Sequence, residues 1–406
     1  MISVEEHLVD VLALARPRAA ERLPLADCLG LVLAEDIVAR LAVPPFTNSA
    51  MDGFAIRAAD IAAATPDSPV RLPVVGDVPA GHQSDRSLQP GQAIRVMTGA
   101  PVPEGADAVV PTESTDQLLG DAPLPTVVEV RDPVPAGRHL RRSGEDVAVG
   151  ATVLGARQVL SPAALSAAAS VGWGELAVVP PVRVAILATG SELVAPGQTP
   201  GPGQIPDSNS VLVAGLVQQA GGVVASLARS SDSVAEFDAV LERALTADLV
   251  VTTGGVSVGA FDVVRQGSAR GRLDFRQVAM QPGKPQGIGL LEAADGRLVP
   301  LLAFPGNPVS VFVSFHLFAR PLLAMLAGRP ASTPVSRAVA AVGWASPPGR
   351  RQYVPVVLEG GRVMPSHRLG SGSHLVASLP AANALAVVPE DVAAVAAGDE
   401  LTVIGV

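Results

Sequence analysis

Apolar and polar positions change their period several times along the chain. Ser3-Val4-Glu5-Glu6 has the form of a capping box, and Val4, Leu8, Val11, Leu12 and Ala15 follow at helical spacing as far as Pro17, which predicts a short opening helix. From about Pro44 to Gly137 the texture becomes short apolar runs cut by proline and glycine, such as Val70–Gly76 and Ala108–Pro111, the pattern of a β-rich insertion. Ser161-Pro162 then opens a small-residue helix that ends at Gly172. The most regular stretch follows: strand 182–188, helix 209–220, strand 223–228, helix 233–247, strand 249–253, strands 273–280 and 298–304, and a helix over 309–326. Repeated βαβ units predict a doubly wound, mostly parallel sheet covered on both faces. After Ala331 strands return at 337–345, in a hairpin around 359–362, at 384–388 and at 400–404, which predicts a small barrel or sandwich.

Composition narrows this picture. A chain of 406 residues is longer than one ordinary domain, and 48% hydrophobic against 17% charged residues leaves ample apolar surface to bury. A net charge of −9 and an aromatic share of 3% argue against a nucleic-acid surface, which needs basic patches and stacking platforms. The longest uncharged run, Leu298–Ala319, is interrupted by Pro300, Pro305 and Pro308, so its apolar helical remainder is expected to fall short of a membrane span. The acidic, amphipathic start does not read as a secretory signal. One cysteine, Cys28, excludes an internal disulfide and a multi-thiolate metal site, and a cytoplasmic location is expected.

Ligands of an open parallel sheet gather beyond the carboxyl ends of its strands, so the loops that follow strands carry the candidate chemistry. Three are unusual: Thr189-Gly190-Ser191-Glu192, Gly254-Gly255-Val256-Ser257-Val258-Gly259, and Pro305-Gly306-Asn307-Pro308-Val309-Ser310 ahead of a helix. Any one of them reads equally as a turn. Three at one sheet edge, each expected to expose backbone amides, suit phosphate or another oxyanion. Neither a P-loop nor a G-x-G-x-x-G fingerprint is present, and no G-x-S-x-G elbow supports a serine hydrolase.

Of 29 basic residues only Lys284 is lysine. It stands in Gln281-Pro282-Gly283-Lys284-Pro285, where two prolines and a glycine stiffen the backbone around a compact ammonium that an anion can meet. Acidic residues beside turn glycines form a second group: Asp52, Asp146, Glu192, Asp232 and Asp262. Together with oxyanion loops they suggest a hard divalent cation such as Mg²⁺, held by a few carboxylates and substrate phosphate. Metal, lysine and amides are the parts that phosphoanhydride cleavage uses.

The same segments carry a family resemblance. NSAMDGFAIRAAD (48–60), VMTGAPVPEGADAVV (96–110), GED (144–146), ILATGSEL (186–193), DSNS (207–210), TTGGVSVG (252–259), PGKP (282–285) and FPGNPVSVF (304–312) resemble, in order, the molybdopterin molybdenumtransferase family, bacterial MoeA and the E domain of gephyrin. The resemblance implies an α/β multidomain protomer. A small α+β N-terminal domain would comprise 1–43 with 138–179, a β-rich insertion 44–137, a doubly wound molybdopterin-binding domain 180–329, and a C-terminal β barrel 330–406. It implies a homodimer with shared active sites that takes adenylylated molybdopterin and molybdate, releases AMP with Mg²⁺, and contacts a molybdopterin adenylyltransferase transiently.

By the same resemblance Asp262, Glu192, Lys284 and Asp52 would be catalytic, and Asp262, Asp232 and Asp146 would be metal ligands. Thr98, Thr189, Gly190, Gly254, Gly255, Ser257, Gly306, Asn307, Ser310, Arg350 and Ser371 would bind substrate or molybdate, with Asp52 and Thr98 reaching the other protomer's site. One cysteine cannot furnish the soft ligands of molybdenum, which agrees with a substrate that brings its own sulfurs. The chain departs from the family pattern at Ser191, often Asp, at Gln281, a second Lys in some relatives, and at Pro206, often aromatic. Alternatives of related fold or other class are a molybdopterin adenylyltransferase and a non-catalytic scaffold.

Overall fold

The computed structural model describes all residues except 17, 119–122, 257–263, 265–270 and 368–371, and of 271–272 the backbone only. The described residues gather into two compact units, Met1–Glu21 with Gly30–Val32 and Val178–Val406, and Arg22–Leu29 with Leu33–Ala177.

The first unit opens with helix α1 (Val4–Ala13). Its capping box is formed: the Ser3 hydroxyl accepts from the Glu6 amide at 3.1 Å, and the Glu6 carboxylate accepts from the Ser3 amide at 2.8 Å. Val4, His7 and Val11 are its buried face, and both valines join the core of this unit. Residues 1–21 therefore sit with the α/β unit, whereas 33–43 lie with 138–177.

The central sheet has six strands: β1 (Arg183–Thr189), β2 (Val223–Ser230), β3 (Leu249–Thr253), β4 (Gly271–Gln277), β5 (Pro285–Glu292) and β6 (Leu298–Phe304). They are ordered β2-β1-β3-β6-β5-β4. The first four run parallel, and β5 is antiparallel to both of its neighbours. Helix α2 (Ser208–Gln219) connects β1 to β2, and α3 (Val234–Ala244) connects β2 to β3 on the far side of β1, so the direction of winding reverses and leaves a switch point between β1 and β3. Alternate residues of one strand serve opposite cores: Val184 and Ile186 pack with α1, α2 and α4 (Pro308–Leu326), while Ala185 and Leu187 pack with α3. Fully burying a side chain such as Phe304 or Phe318 contributes about 1.5–3 kcal/mol, so these layers dominate the stability of the unit.

Helix α4 corrects one expectation. It is 19 residues long with a mean hydropathy of 1.7, long and apolar enough to cross a membrane, but 83% of its apolar window is buried inside the protein. A π-turn at Phe315–Ala319 lets it continue from the loop prolines to Leu326. Its apolarity is that of a core helix.

The C-terminal strands close into a five-stranded barrel. Arg351–Glu359, Arg362–Pro365, Val335–Ala340, Glu400–Gly405 and Ala384–Val388 follow one another, and the last pairs with the first. Met280–Gln281 adds a short parallel strand beside Arg351–Gln352, which brings the Lys284 loop to the barrel rim. The second unit is built on a five-stranded sheet in the order Ala108–Pro111, Gly53–Ile56, Ala93–Val96, Val70–Val78, Val127–Val130. Phe54 and Ile56 face one apolar layer and Ala55 the other. Its helix Pro162–Ser170 is capped by Ser161, whose hydroxyl accepts from the Ala164 amide at 3.2 Å.

Candidate active site

Parallel register sets the site. Ala188 is level with Thr253, and Thr253 with Phe304, so β1, β3 and β6 end at one edge and their three loops emerge together. Beyond that edge is a cavity of about 890 Å³, within the range of small-molecule sites.

The loop after β1 is tied to the loop after β2. The Ser191 amide donates to Asp232 Oδ2 and the Asp232 amide donates to Ser191 Oγ, each at 3.2 Å. This reciprocal pair fixes the loop on which Glu192 stands exposed, and the Ile205 amide holds the Glu192 carbonyl at 2.9 Å. After β3 the chain turns through Gly254 and Gly255, with φ of +90° and +64°. A Cβ on Gly254 would lie 2.5 Å from the Thr189 carbonyl oxygen, and one on Gly255 would lie 2.9 Å from Thr189 Oγ1. Both conformation and space demand glycine where β1 and β3 separate. After β6, Pro305-Gly306-Asn307 leads into α4 with Ser310 buried in its first turn. Asn209 donates to the Gly306 carbonyl at 2.6 Å, and Asn307 donates through Nδ2 to Ser373 Oγ at 3.0 Å, fastening a barrel loop over the helix start.

The expectation of free amides at all three loops needs correction. The Gly190 amide donates to Ser230, that of Ser191 to Asp232, and that of Gly254 to Phe304. Those donors are consumed because adjacent loops must satisfy one another where the strands splay. The amides of Gly255, Gly306 and Asn307 have no protein acceptor among the described residues and remain for a ligand.

Charge of both signs borders the cavity: Glu192 and Asp232, Lys284 and Arg350. Lys284 is half-buried, and no carboxylate among the described residues pairs with it or with Arg350. The neighbouring Arg351 is engaged by Glu5 and Glu390. A cavity with two cations and three amides that have no protein partner among the described residues, together with two carboxylates, is equipped to take a phosphorylated or oxyanionic ligand.

Of the residues singled out in the sequence, Thr189, Gly190, Glu192, Asp232, Gly254 and Gly255 line this cavity. Lys284, Gly306, Asn307, Ser310 and Arg350 line it too. Ser257, Asp262 and Ser371 lie outside the described residues. Asp52, Thr98 and Asp146 belong to the second unit, where Asp52 Oδ1 accepts from the Thr98 amide at 2.6 Å and all three residues are exposed. Ser373 and His374 also line the cavity, and sequence reasoning missed them because nothing in a polar run of Gly and Ser marks which residue turns inward.

Of the expected metal ligands Asp262, Asp232 and Asp146, Asp262 lies outside the described residues, and among the described residues no three His, Cys, Asp or Glu side chains cluster as metal ligands. Asp146 lies in the other unit and Asp232 already accepts from Ser191. Glu192 and Asp232 both line the cavity, and the second oxygen of Asp232 is not engaged by Ser191, so their donor chemistry suits a Mg²⁺ ion of the kind that takes one or two carboxylates and completes its shell with substrate oxygens and water.

The architecture and cavity thus define a multidomain protein whose doubly wound domain opens a cavity lined by cations, amides and carboxylates at its switch point. Family models agree along the chain: MoeA N-terminal region (domain I and II) over residues 2–172, probable molybdopterin binding domain over 185–325, and MoeA C-terminal region (domain IV) over 337–406. The chain belongs to the molybdopterin molybdenumtransferase (MoeA) family. It is similar to molybdopterin molybdenumtransferase 2 of Mycobacterium tuberculosis, 45% identical with 99% of each chain covered. It is also similar to the molybdopterin molybdenumtransferase of Synechococcus elongatus, 40% identical over 79% of this chain and 78% of the relative. A crystal structure of the molybdopterin biosynthesis MoeA protein of Pyrococcus horikoshii matches with a TM-score of 0.83 and 30% identity, covering 100% of this chain and 99% of the other.

Proposed function

We propose that this protein is a transferase of molybdenum cofactor biosynthesis that inserts molybdenum from molybdate into adenylylated molybdopterin and releases AMP. One observation carries the reading: three loops of the α/β sheet, Lys284 and Arg350 converge on a single cavity of about 890 Å³. The diphosphate of the substrate would lie among the free amides of Gly255, Gly306 and Asn307. Lys284 and Arg350 would meet its oxygens and those of molybdate. Breaking the phosphoanhydride places negative charge on the departing AMP phosphate, and preorganised cations and amides stabilise that charge without reorganising water. The dithiolene sulfurs come from the substrate, since Cys28 is buried. Glu192 and Asp232 would hold a Mg²⁺ that neutralises phosphate oxygens when bound, and Asp262 is our candidate for orienting the attacking water.

We also propose a cytoplasmic homodimer in which the exposed Asp52–Thr98 pair of one protomer serves the cavity of the other, with the substrate delivered by transient contact with a molybdopterin adenylyltransferase. The reaction is tested by incubating purified protein with adenylylated molybdopterin, molybdate and Mg²⁺. AMP should accumulate in proportion to protein; release no faster than in a protein-free control would refute the reading.

A further inference from the structure

The backbone that carries Lys284 is held from below by a side chain that does not itself line the cavity. Gln286, the second residue of β5, is 1% exposed, and its Nε2 donates to the Gly283 carbonyl at 2.7 Å and to Ser314 Oγ at 2.8 Å. Both hydrogens of the amide are thereby used, and Ser314, on α4, is fully buried. On the other side of the same loop the Val278 amide donates to the Lys284 carbonyl at 2.8 Å. The peptide groups on either side of the Lys284 α-carbon are thus each anchored, one by the Val278 amide just beyond β4 and one by Gln286. A half-buried lysine on an unanchored loop would spread its charge over many positions, and ordering it on binding would cost affinity.

We propose that Gln286 is a positioning residue that, through Gly283 and Ser314, holds Lys284 aimed into the cavity before ligand arrives. A glutamine is suited to this task because it donates twice from one planar group. Leucine would fill the space but leave the Gly283 carbonyl and the Ser314 hydroxyl without their donor in a buried site. Ionised glutamate would set a carboxylate against the Gly283 carbonyl oxygen, whereas protonated glutamate could restore one donor.

The proposal rests on the reading of the cavity as an oxyanion site, and the chain itself supplies a probe that separates the two. Lys284 is its only lysine, so protein made with lysine labelled with ¹⁵N at Nζ alone gives one side-chain NMR resonance from the whole molecule. In the wild type that resonance should be sharp and distinct from a random-coil lysine, and should shift on titration with inorganic pyrophosphate. In Gln286→Leu it should collapse toward the random-coil position, and pyrophosphate should bind about tenfold more weakly, the worth of one buried hydrogen bond.

Gln286→Glu should recover the wild-type resonance as pH falls through the titration of its buried carboxyl, a dependence the wild type lacks. A fixed, wild-type-like lysine resonance in Gln286→Leu, or a Gln286→Glu spectrum that ignores pH, overturns the positioning role. Should Gln286→Leu fail to fold, Ser314→Ala and the pH series of Gln286→Glu decide the question. Absence of any pyrophosphate shift in the wild type counts against the oxyanion site alone, since the position and width of the lysine signal still report how the loop is held.

Discussion

The two units keep their polar residues in contrasting ways. In the α/β unit Thr189, Thr253 and Ser310 are buried at strand and helix ends around a concavity, beside half-buried Lys284 and Arg350. In the β-rich unit Asp52, Thr98 and Asp146 stand exposed on loops whose hydrogen bonds stay within that unit, Asp52 with Thr98 and Asp146 with Val43. The difference follows from topology. A parallel sheet brings the carboxyl ends of sequence-distant strands to one edge and opens a crevice where their order reverses, so it concentrates donors and charges. The insertion's sheet is mixed, with a single parallel pair, Val70–Val78 beside Ala93–Val96, and its exposed acidic residues stand on loops rather than around a shared crevice.

The largest effect expected from this contrast is at Lys284. Lys284→Ala should lower molybdenum transfer by about 10²–10³-fold, the scale of losing a main transition-state stabiliser, with the melting temperature little changed. Asp52→Ala should cost less in a homogeneous preparation. Mixing the Lys284 and Asp52 variants sharpens the point: if one unit serves the other protomer's cavity, mixed dimers contain one intact site and activity returns in part. Activity that merely averages the two parents would assign both residues to one protomer's site.

A smaller and different loss is expected at the switch point. Gly254→Ala puts a Cβ 2.5 Å from the Thr189 carbonyl oxygen and a non-glycine residue at a φ of +90°. The β1 and β3 ends must spread, at a cost of about 1–3 kcal/mol, typical of enforced strain. Urea unfolding should show the α/β unit destabilised and the β-rich unit unaffected. An unchanged midpoint would mean that the strand ends are loosely joined and that the cavity mouth is less preorganised than its geometry indicates.

Where local rules and topology coincide, the sequence was readable. Strands 249–253 and 298–304, the Ser3–Glu6 capping box and the three loops at the sheet edge could be placed from periodicity and turn chemistry, because the chain there obeys its neighbours in sequence. Strand β5 was missed. Its run Pro285-Gln286-Gly287-Ile288-Gly289 has low strand propensity, and Gly287 is required by a distant contact: a Cβ there would lie 2.9 Å from the Phe275 ring and 3.0 Å from Ala303 Cβ. The same blind spot hid Gln286, Ser373 and His374, whose roles depend on what the fold brings opposite them. Asp52 stood out only as one acidic turn residue among several, and Asn48–Asp60 and Met97–Gly99 took on a role only as family strings, since nothing in their own pattern distinguishes an exposed acidic turn from a site.

The units should also part company in acid. His7 on α1 is fully buried against the Phe318 ring, with ring centroids 4.6 Å apart, and burial, reinforced by Arg276, pushes its pKa down to about 4. His316 in the π-turn of α4 is pushed down to about 3 by burial and then by Arg320. A histidine whose folded pKa lies below its unfolded value of about 6.5 favours the folded state while it is neutral. That contribution is complete above pH 6.5, and it is lost progressively as pH falls toward 4 at His7 and toward 3 at His316, because the unfolded chain takes up the proton first. Stability of the α/β unit should therefore fall by as much as roughly 3 kcal/mol on account of His7 alone between pH 6.5 and 4. The β-rich unit has no comparably buried histidine among its described residues and should be flatter over the same window. Thermal melts followed by hydrogen exchange would resolve the two. His7→Phe, which keeps the edge-on aromatic contact without a titrating nitrogen, should flatten the α/β unit's dependence in part and leave that of His316; a variant with the full wild-type pH slope would show that the proton is taken up elsewhere.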